Sequence, residues 1–143
     1  MRIIKHNLIF FFTLVVTFAL ITSCEDKKDD DDNNQNALVG TWELTKTTVD
    51  IEGFGTFTIN ADEDNNETLV ISDDGTFSST GEDEGESFSG NGTWTATNDK
   101  ATFIGDGHTT VADYSISGST LTISFSETEG GMTATITQEY EKQ

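Results

Sequence analysis

Large apolar side chains recur at every second position through much of the chain after Ala37. Between Thr120 and Ser126, for example, Leu121, Ile123 and Phe125 alternate with threonine and serine. A period of two is that of a β-strand with one buried and one solvated face. No segment of this region shows the 3.6-residue apolar stripe of an amphipathic helix. The pattern therefore predicts an all-β domain.

Turn-forming residues divide this region at short intervals, as at Asp73-Asp74-Gly75, Gly90-Asn91-Gly92 and Gly130-Gly131. Such residues reach positive φ or bond their own backbone at little cost. Strands joined in this way form an antiparallel up-and-down meander. We expect eight to ten strands, near residues 40–50, 54–60, 67–72, 76–80, 86–90, 93–98, 101–105, 109–117, 120–127 and 132–141.

The chain contains no proline to guard the edges of an open sheet. Closure into a small barrel removes both edges, so we favour a barrel over a sandwich. A Gly-Thr-aromatic triplet recurs at residues 40–42, 55–57, 75–77 and 92–94. We interpret it as a glycine that ends a turn, a threonine that begins a strand and an aromatic ring that enters the core. An exposed aromatic binding stripe is the alternative.

The first 23 residues have the pattern of a signal peptide. Arg2 and Lys5 precede a run without charges from Leu8 to Ile21, which is followed by the small residues Thr22 and Ser23. This run is shorter than the ~20 residues that a membrane-spanning helix requires. We therefore expect residues 1–23 to be removed.

Cys24 is the sole cysteine and directly follows Ile21-Thr22-Ser23. This arrangement resembles the lipobox of bacterial lipoproteins. The resemblance implies cleavage between Ser23 and Cys24 and a diacylglycerol on the Cys24 thiol. Several acyl chains together anchor a protein stably, so the membrane becomes a partner through Cys24. The implied location is the cell envelope, at the outer membrane. A plain secretory signal with an incidental cysteine is the alternative.

Residues 24–36 continue from Cys24 with the sequence EDKKDDDDNNQN, which contains no apolar residue. This composition predicts a solvated, flexible, acidic tether, which leaves 37–143 as the folded domain. The acidic run is also similar to export signals that send some lipoproteins to the outer face of the outer membrane. A simple spacer is the alternative.

The charge of the processed chain excludes one class of partner. All 26 acidic residues follow Ser23, and five of the seven basic residues remain after cleavage, so the formal charge is −21. A surface of this sign repels phosphate backbones, and nucleic-acid binding is not expected.

Four segments resemble lipocalin-like domains found on bacterial lipoproteins. Residues 38–44 are similar to the Gly-x-Trp signature of the first lipocalin strand. The Asp-Gly-Thr-Phe turn at 74–77, the Gly-Thr-Trp strand at 92–94 and the hairpin 114–122 also match. The resemblance covers most of 38–141. It implies an up-and-down barrel that holds a small apolar or amphipathic ligand, with Gly40 and Trp42 at the floor. Lipocalins often stack an arginine on this tryptophan, whereas here Lys142 is the candidate.

The inward faces of the last hairpin are the candidate ligand contacts: Leu121, Ile123, Phe125, Met132 and Ile136. The alternative is a barrel with a filled core that acts as a surface interaction module for a glycan or an envelope protein. A void of a few hundred Å³ would distinguish the two.

Enzymatic activity is not expected. Histidine usually supplies acid-base chemistry at neutral pH, but His6 lies in the predicted signal peptide and the one remaining histidine, His108, lies in a Gly-Asp-Gly-His turn.

No cofactor is expected, with calcium as the one candidate ion. Asp62, Asp64 and Asn66 match the opening of an EF-hand loop. Glu67 stands where that loop has glycine, so a solvated acidic loop is the alternative.

Overall fold

The computed structural model describes residues 37–143. The predicted signal peptide 1–23 and the tether 24–36, with Cys24, lie outside the described residues. Within 37–143 no helix is long and apolar enough to cross a membrane.

Nine antiparallel strands form the described domain and confirm the predicted all-β meander. Their bounds are β1 Gly40–Ile51, β2 Gly55–Asn60, β3 Asn65–Ile71, β4 Thr76–Asp83, β5 Glu86–Ala96, β6 Lys100–Gly105, β7 His108–Ser117, β8 Thr120–Glu129 and β9 Met132–Lys142.

Eight of these strands close into a barrel. Neighbours follow chain order from β3 to β9, and β1 joins the two ends by pairing with both β3 and β9. The β1–β9 ladder runs from Trp42 opposite Lys142 to Ile51 opposite Ala134. Closure pairs backbone groups that the edges of an open sheet would expose. The absence of proline led us to expect this closure. The remaining strand, β2, pairs with the second half of β1.

Because successive strands reverse direction, their connections fall alternately at the two ends of the barrel. One end carries the turns at residues 84–85, 106–107 and 130–131, and we call it the mouth. The other end, which we call the floor, carries the turns at 72–75, 97–99 and 118–119. Leu38 enters the barrel at the floor, just before β1 begins.

The floor holds the tightest part of the core. Its largest fully buried side chains are Leu38, Trp42, Ile71, Leu121 and Tyr140. The indole Nε1 of Trp42 donates to the carbonyl oxygen of Leu38 at 2.8 Å. The ring is therefore packed in the core, and its polar atom is hydrogen-bonded within the protein.

The predicted turn at Gly90–Gly92 is wrong, because β5 runs without interruption from Glu86 to Ala96. The two predicted strands 86–90 and 93–98 are one. A Cβ atom on Gly92 would lie 1.9 Å from the carbonyl oxygen of Ile104 on β6. Glycine at this position permits two strands to approach closely, a role distinct from ending a turn.

The Gly-Thr-aromatic triplets differ in where they place their rings. Trp42 and Trp94 are buried, and Phe77 packs edge-on against Phe103 with ring centroids 5.2 Å apart. Phe57, however, is 54 % exposed. The prediction that it enters the core is wrong, because β2 pairs with β1 alone and lies beside the closed ring.

Candidate functional site

A cavity of about 430 Å³ occupies the mouth half of the barrel. Its size falls within the range of small-molecule pockets. A filled barrel core, the alternative raised by the sequence, is therefore not observed. The deeper wall is mainly apolar and includes Leu44, Leu69, Phe77, Phe103, Ala112 and Ile123.

Three of the five predicted ligand contacts line this cavity. Ile123 and Phe125 reach it from β8, and Ile136 reaches it from β9. All three belong to the inward face that the alternation in the sequence indicates.

The other two predicted contacts do not line the cavity. Leu121 is completely buried beneath the cavity in the floor core, because it lies one residue from the floor end of β8. Met132 is 53 % exposed, because it pairs with Glu129 at the tip of the β8–β9 hairpin, beyond the cavity wall. Alternation along a strand predicts which face of the sheet a side chain lies on, but not how far along the barrel axis it lies.

A carboxylate held by three donors stands inside the barrel. Glu67 projects from β3, and its Oε1 accepts a hydrogen bond from Ser79 Oγ at 2.5 Å. Its Oε2 accepts from Tyr140 Oη at 2.8 Å and from Gln138 Nε2 at 3.3 Å. All four side chains line the cavity. This carboxylate links β3, β4 and β9 across the barrel interior.

Tyr140 connects this group to the floor. Its burial raises the pKa of its phenol well above the ordinary value, and the neighbouring charge of Glu67 adds to the rise. The phenol therefore remains protonated and acts as a hydrogen-bond donor to Glu67 at neutral pH.

The outer part of the cavity carries four further carboxylates, on Glu82, Asp83, Asp106 and Glu127. Burial raises the pKa of Asp83, with repulsion from Glu84 adding to it. The pKa of Glu127 is raised in the same way, by burial first and then by the charge of Glu129. Among the described residues that line the cavity there is no lysine, arginine or histidine.

Sequence reasoning missed Glu67 and Gln138. The signal was present in the phase of the alternation, since Glu67 precedes inward-facing Leu69 by two positions and Gln138 lies between Ile136 and Tyr140 on the same face. A polar residue at an inward position indicates either a buried hydrogen-bond network or a site.

The predicted barrel-floor pair lies at the floor. Trp42 is fully buried, and Lys142 Nζ stands 5.0 Å from the centroid of its ring. A Cβ on Gly40 would lie 2.9 Å from Cε of Lys142, and Gly40 has a φ of 150°. Glycine at position 40 thus leaves room for the lysine stem, and Lys142 occupies the position over the ring that a lipocalin arginine often takes.

The candidate calcium ligands form a turn. Asp62 Oδ1 accepts hydrogen bonds from the backbone nitrogens of Asp64 and Asn65, at 3.0 and 2.9 Å. Asn66 Nδ2 donates to the carbonyl oxygens of residues 62 and 63. Within 37–143 no group of three or more His, Cys, Asp or Glu side chains is placed to hold a metal ion. Calcium binding by Asp62, Asp64 and Asn66 stays a prediction.

A closed antiparallel barrel with a packed floor and a cavity at its mouth defines the class of small-ligand-binding β-barrels. A family model described as a lipocalin-like domain matches residues 38–123. The chain belongs to this family. A search of the curated proteins found no match.

Proposed function

We propose that this protein is a lipid-anchored protein of the cell envelope whose barrel binds one small apolar or amphipathic molecule. The observation that carries the proposal is the cavity of about 430 Å³ at the mouth of the barrel. Its deep wall supplies apolar contacts, for which removal of ligand surface from water is the driving force. Its outer wall supplies polar groups that can fix a headgroup.

The core arrangement supports a preformed site. Leu38, Trp42, Ile71, Leu121 and Tyr140 fill the floor, so the strands are held together without the ligand. Binding to such a site costs less ordering of the protein than binding that must also close the barrel.

Binding rather than catalysis is proposed because of the groups that face the cavity. Its titratable lining consists of five carboxylates and Tyr140, which is kept protonated by its environment. Histidine, the usual proton-transfer group at neutral pH, is not among the described lining residues.

The anchor is proposed from the lipobox resemblance at Cys24. In the described residues, the N-terminal end of the domain and the opening of the cavity lie at opposite ends of the barrel, because Leu38 enters at the floor. This arrangement is compatible with an N-terminal anchor. Attachment to a membrane at the N-terminal side therefore leaves the mouth unobstructed. The acidic run of the tether is proposed as either an export signal or a spacer.

Mass spectrometry of the full chain, extracted from its own membranes in mild detergent, tests both parts of the proposal. Under denaturing conditions we expect a mass that begins at Cys24 and carries acyl chains. Under native conditions we expect the same mass plus one noncovalent small molecule. Cys24→Ser is the matched variant and should lose the acyl mass.

Two results would contradict the proposal separately. A wild-type chain with no acyl mass that still begins at Met1 would refute the lipid anchor. A wild-type chain that carries no small molecule, and takes up none when offered dodecanol, would refute the binding function.

A further inference from the structure

We infer that the ligand of this cavity is a cationic amphiphile, a molecule with an apolar tail and an ammonium-type headgroup. This inference rests on the proposed binding function and names its ligand class. The inference is based on how the cavity is lined, with apolar side chains in its deep part and carboxylates toward the mouth.

The deep wall fits the tail. Leu69, Phe77, Phe103, Ala112 and Ile123 surround the inner part of the cavity. Each of these side chains is buried or packed against the buried core. An alkyl chain or ring placed there loses contact with water on most sides.

Glu67 stands at the boundary between the apolar wall and the acidic mouth. A carboxylate offers about four lone-pair sites, and Ser79, Gln138 and Tyr140 occupy three of them. One site on a fixed carboxylate remains for a further donor. An ammonium group is a donor that also brings the opposite charge.

The side chains at the mouth also favour a positively charged headgroup. Glu82, Asp83, Asp106 and Glu127 line its wall, and among the described lining residues no basic side chain offsets them. Asp83 and Glu127 carry raised pKa values because burial disfavours their charged forms. A cation beside either carboxylate would lower this penalty, whereas the carboxylate of a fatty acid would increase it.

Competition between three molecules with the same twelve-carbon chain tests the inference. The full chain is loaded with N-phenyl-1-naphthylamine, an uncharged fluorescent probe, and titrated with dodecylammonium, dodecanol or dodecanoate. We expect dodecylammonium to displace the probe at a concentration at least about tenfold lower than dodecanol, and dodecanoate to be the weakest, because the lining is anionic in a partly desolvated site.

Glu67→Gln assigns the effect to the cavity. The amide keeps the size and one acceptor of the carboxylate but removes its charge, so the advantage of dodecylammonium over dodecanol should fall about tenfold. The advantage is a ratio of two affinities measured on the same variant, so a change that weakens both ligands alike does not alter it, and a melting curve shows that the variant is folded. Glu127→Gln provides a second variant at the rim. Glu43→Gln, an exposed residue on the outer face of β1, changes the net charge equally and should leave the advantage intact.

The outcomes separate this inference from the proposed function. If dodecanol displaces the probe but dodecylammonium is no better, or if Glu43→Gln lowers the advantage as much as Glu67→Gln, the cationic ligand class is refuted while binding stands. If none of the three displaces the probe, both are refuted.

Discussion

At the scale of single residues, the most informative group is Glu67 with its three donors. A polar network inside a barrel is tolerated only when its members are hydrogen-bonded to one another. Among the described residues, no buried side-chain nitrogen or oxygen lacks a partner. Each member of the network therefore has at least one partner within the protein, and the network holds the carboxylate at a fixed height in the barrel.

The raised pKa of Tyr140 gives this network a pH dependence. In the unfolded chain its phenol titrates near pH 10, whereas in the folded chain burial and Glu67 keep it protonated to higher pH. The stabilisation from the protonated Tyr140 phenol is fully present below about pH 10 and is lost as the pH rises through the folded pKa.

We therefore expect Tyr140→Phe to reduce the alkaline loss of melting temperature. At neutral pH the variant should be less stable by about 1.5–3 kcal/mol, since it removes a hydrogen bond to a charged group. Above about pH 10 its stability should approach that of the wild type. Thermal melting from neutral to alkaline pH measures both effects.

Tyr114→Phe is the matched control, since the chain has only two tyrosines. Tyr114 Oη donates to the carbonyl oxygen of Thr97 at 2.7 Å, in an exposed hydrogen bond at the floor. Parallel pH profiles for Tyr140→Phe and the wild type would show that Tyr140 does not set the alkaline limit.

Residue roles could be predicted from the sequence where the type of side chain admits one role. Trp42 in a Gly-x-Trp segment and Ile123 in a strict alternation lie at the floor and in the cavity wall, respectively. Glu67 was missed as a site residue, because the five acidic or amide residues before it indicate a solvated loop. Only the phase of the alternation with Leu69 indicates that its side chain points inward.

At the scale of elements, alternation predicted eight of the nine strands separately, whereas it split β5 in two. Glycine has two structural meanings, since it ends turns by adopting positive φ and permits close approach between strands by lacking a side chain. A single sequence does not distinguish them when the neighbouring residues, as at Asn91, also favour turns.

Gly92→Ala and Gly90→Ala test this interpretation on one strand. The new methyl group at 92 would meet the carbonyl oxygen of Ile104 at 1.9 Å, so β5 and β6 would have to separate. We expect a loss of at least ~2 kcal/mol in the free energy of unfolding, at the level of other strained packing changes.

At position 90 a Cβ meets no atom within 4 Å. Gly90→Ala should therefore be neutral or stabilise the protein by up to ~1 kcal/mol, because alanine restricts the unfolded chain. Urea denaturation gives both values. If the two variants lost equal free energy of unfolding, the close approach of β6 would not be the reason that position 92 requires glycine.

At the scale of the whole molecule, the protein combines a closed barrel, a cavity and a strongly acidic composition. Closure followed from the number of strands and the lack of protected edges, and β1 pairs with β9 as a barrel requires. The cavity did not follow from the sequence, because its volume depends on how far opposing side chains reach across the barrel. Leu121 and Ile123 are neighbours on one inward face, yet one fills the floor and the other lines the void.

The interior of this barrel is the proposed binding site for a small molecule, and filling that interior tests the proposal most directly. Ala112 is 1 % exposed and lines the cavity, while Val111, the preceding residue of β7, is 54 % exposed on the outer face. Ala112→Phe adds a ring inside the barrel and Val111→Phe adds the same ring outside. The measurement is titration of each full-length protein with N-phenyl-1-naphthylamine, with melting recorded on the same samples.

We expect the wild type and Val111→Phe to bind one probe per chain with equal affinity. Ala112→Phe should stay folded, at a cost of about 1–3 kcal/mol for the added volume, and should bind at least about tenfold more weakly. Undiminished binding by a folded Ala112→Phe, or no binding by the wild type, would contradict a ligand site inside the barrel.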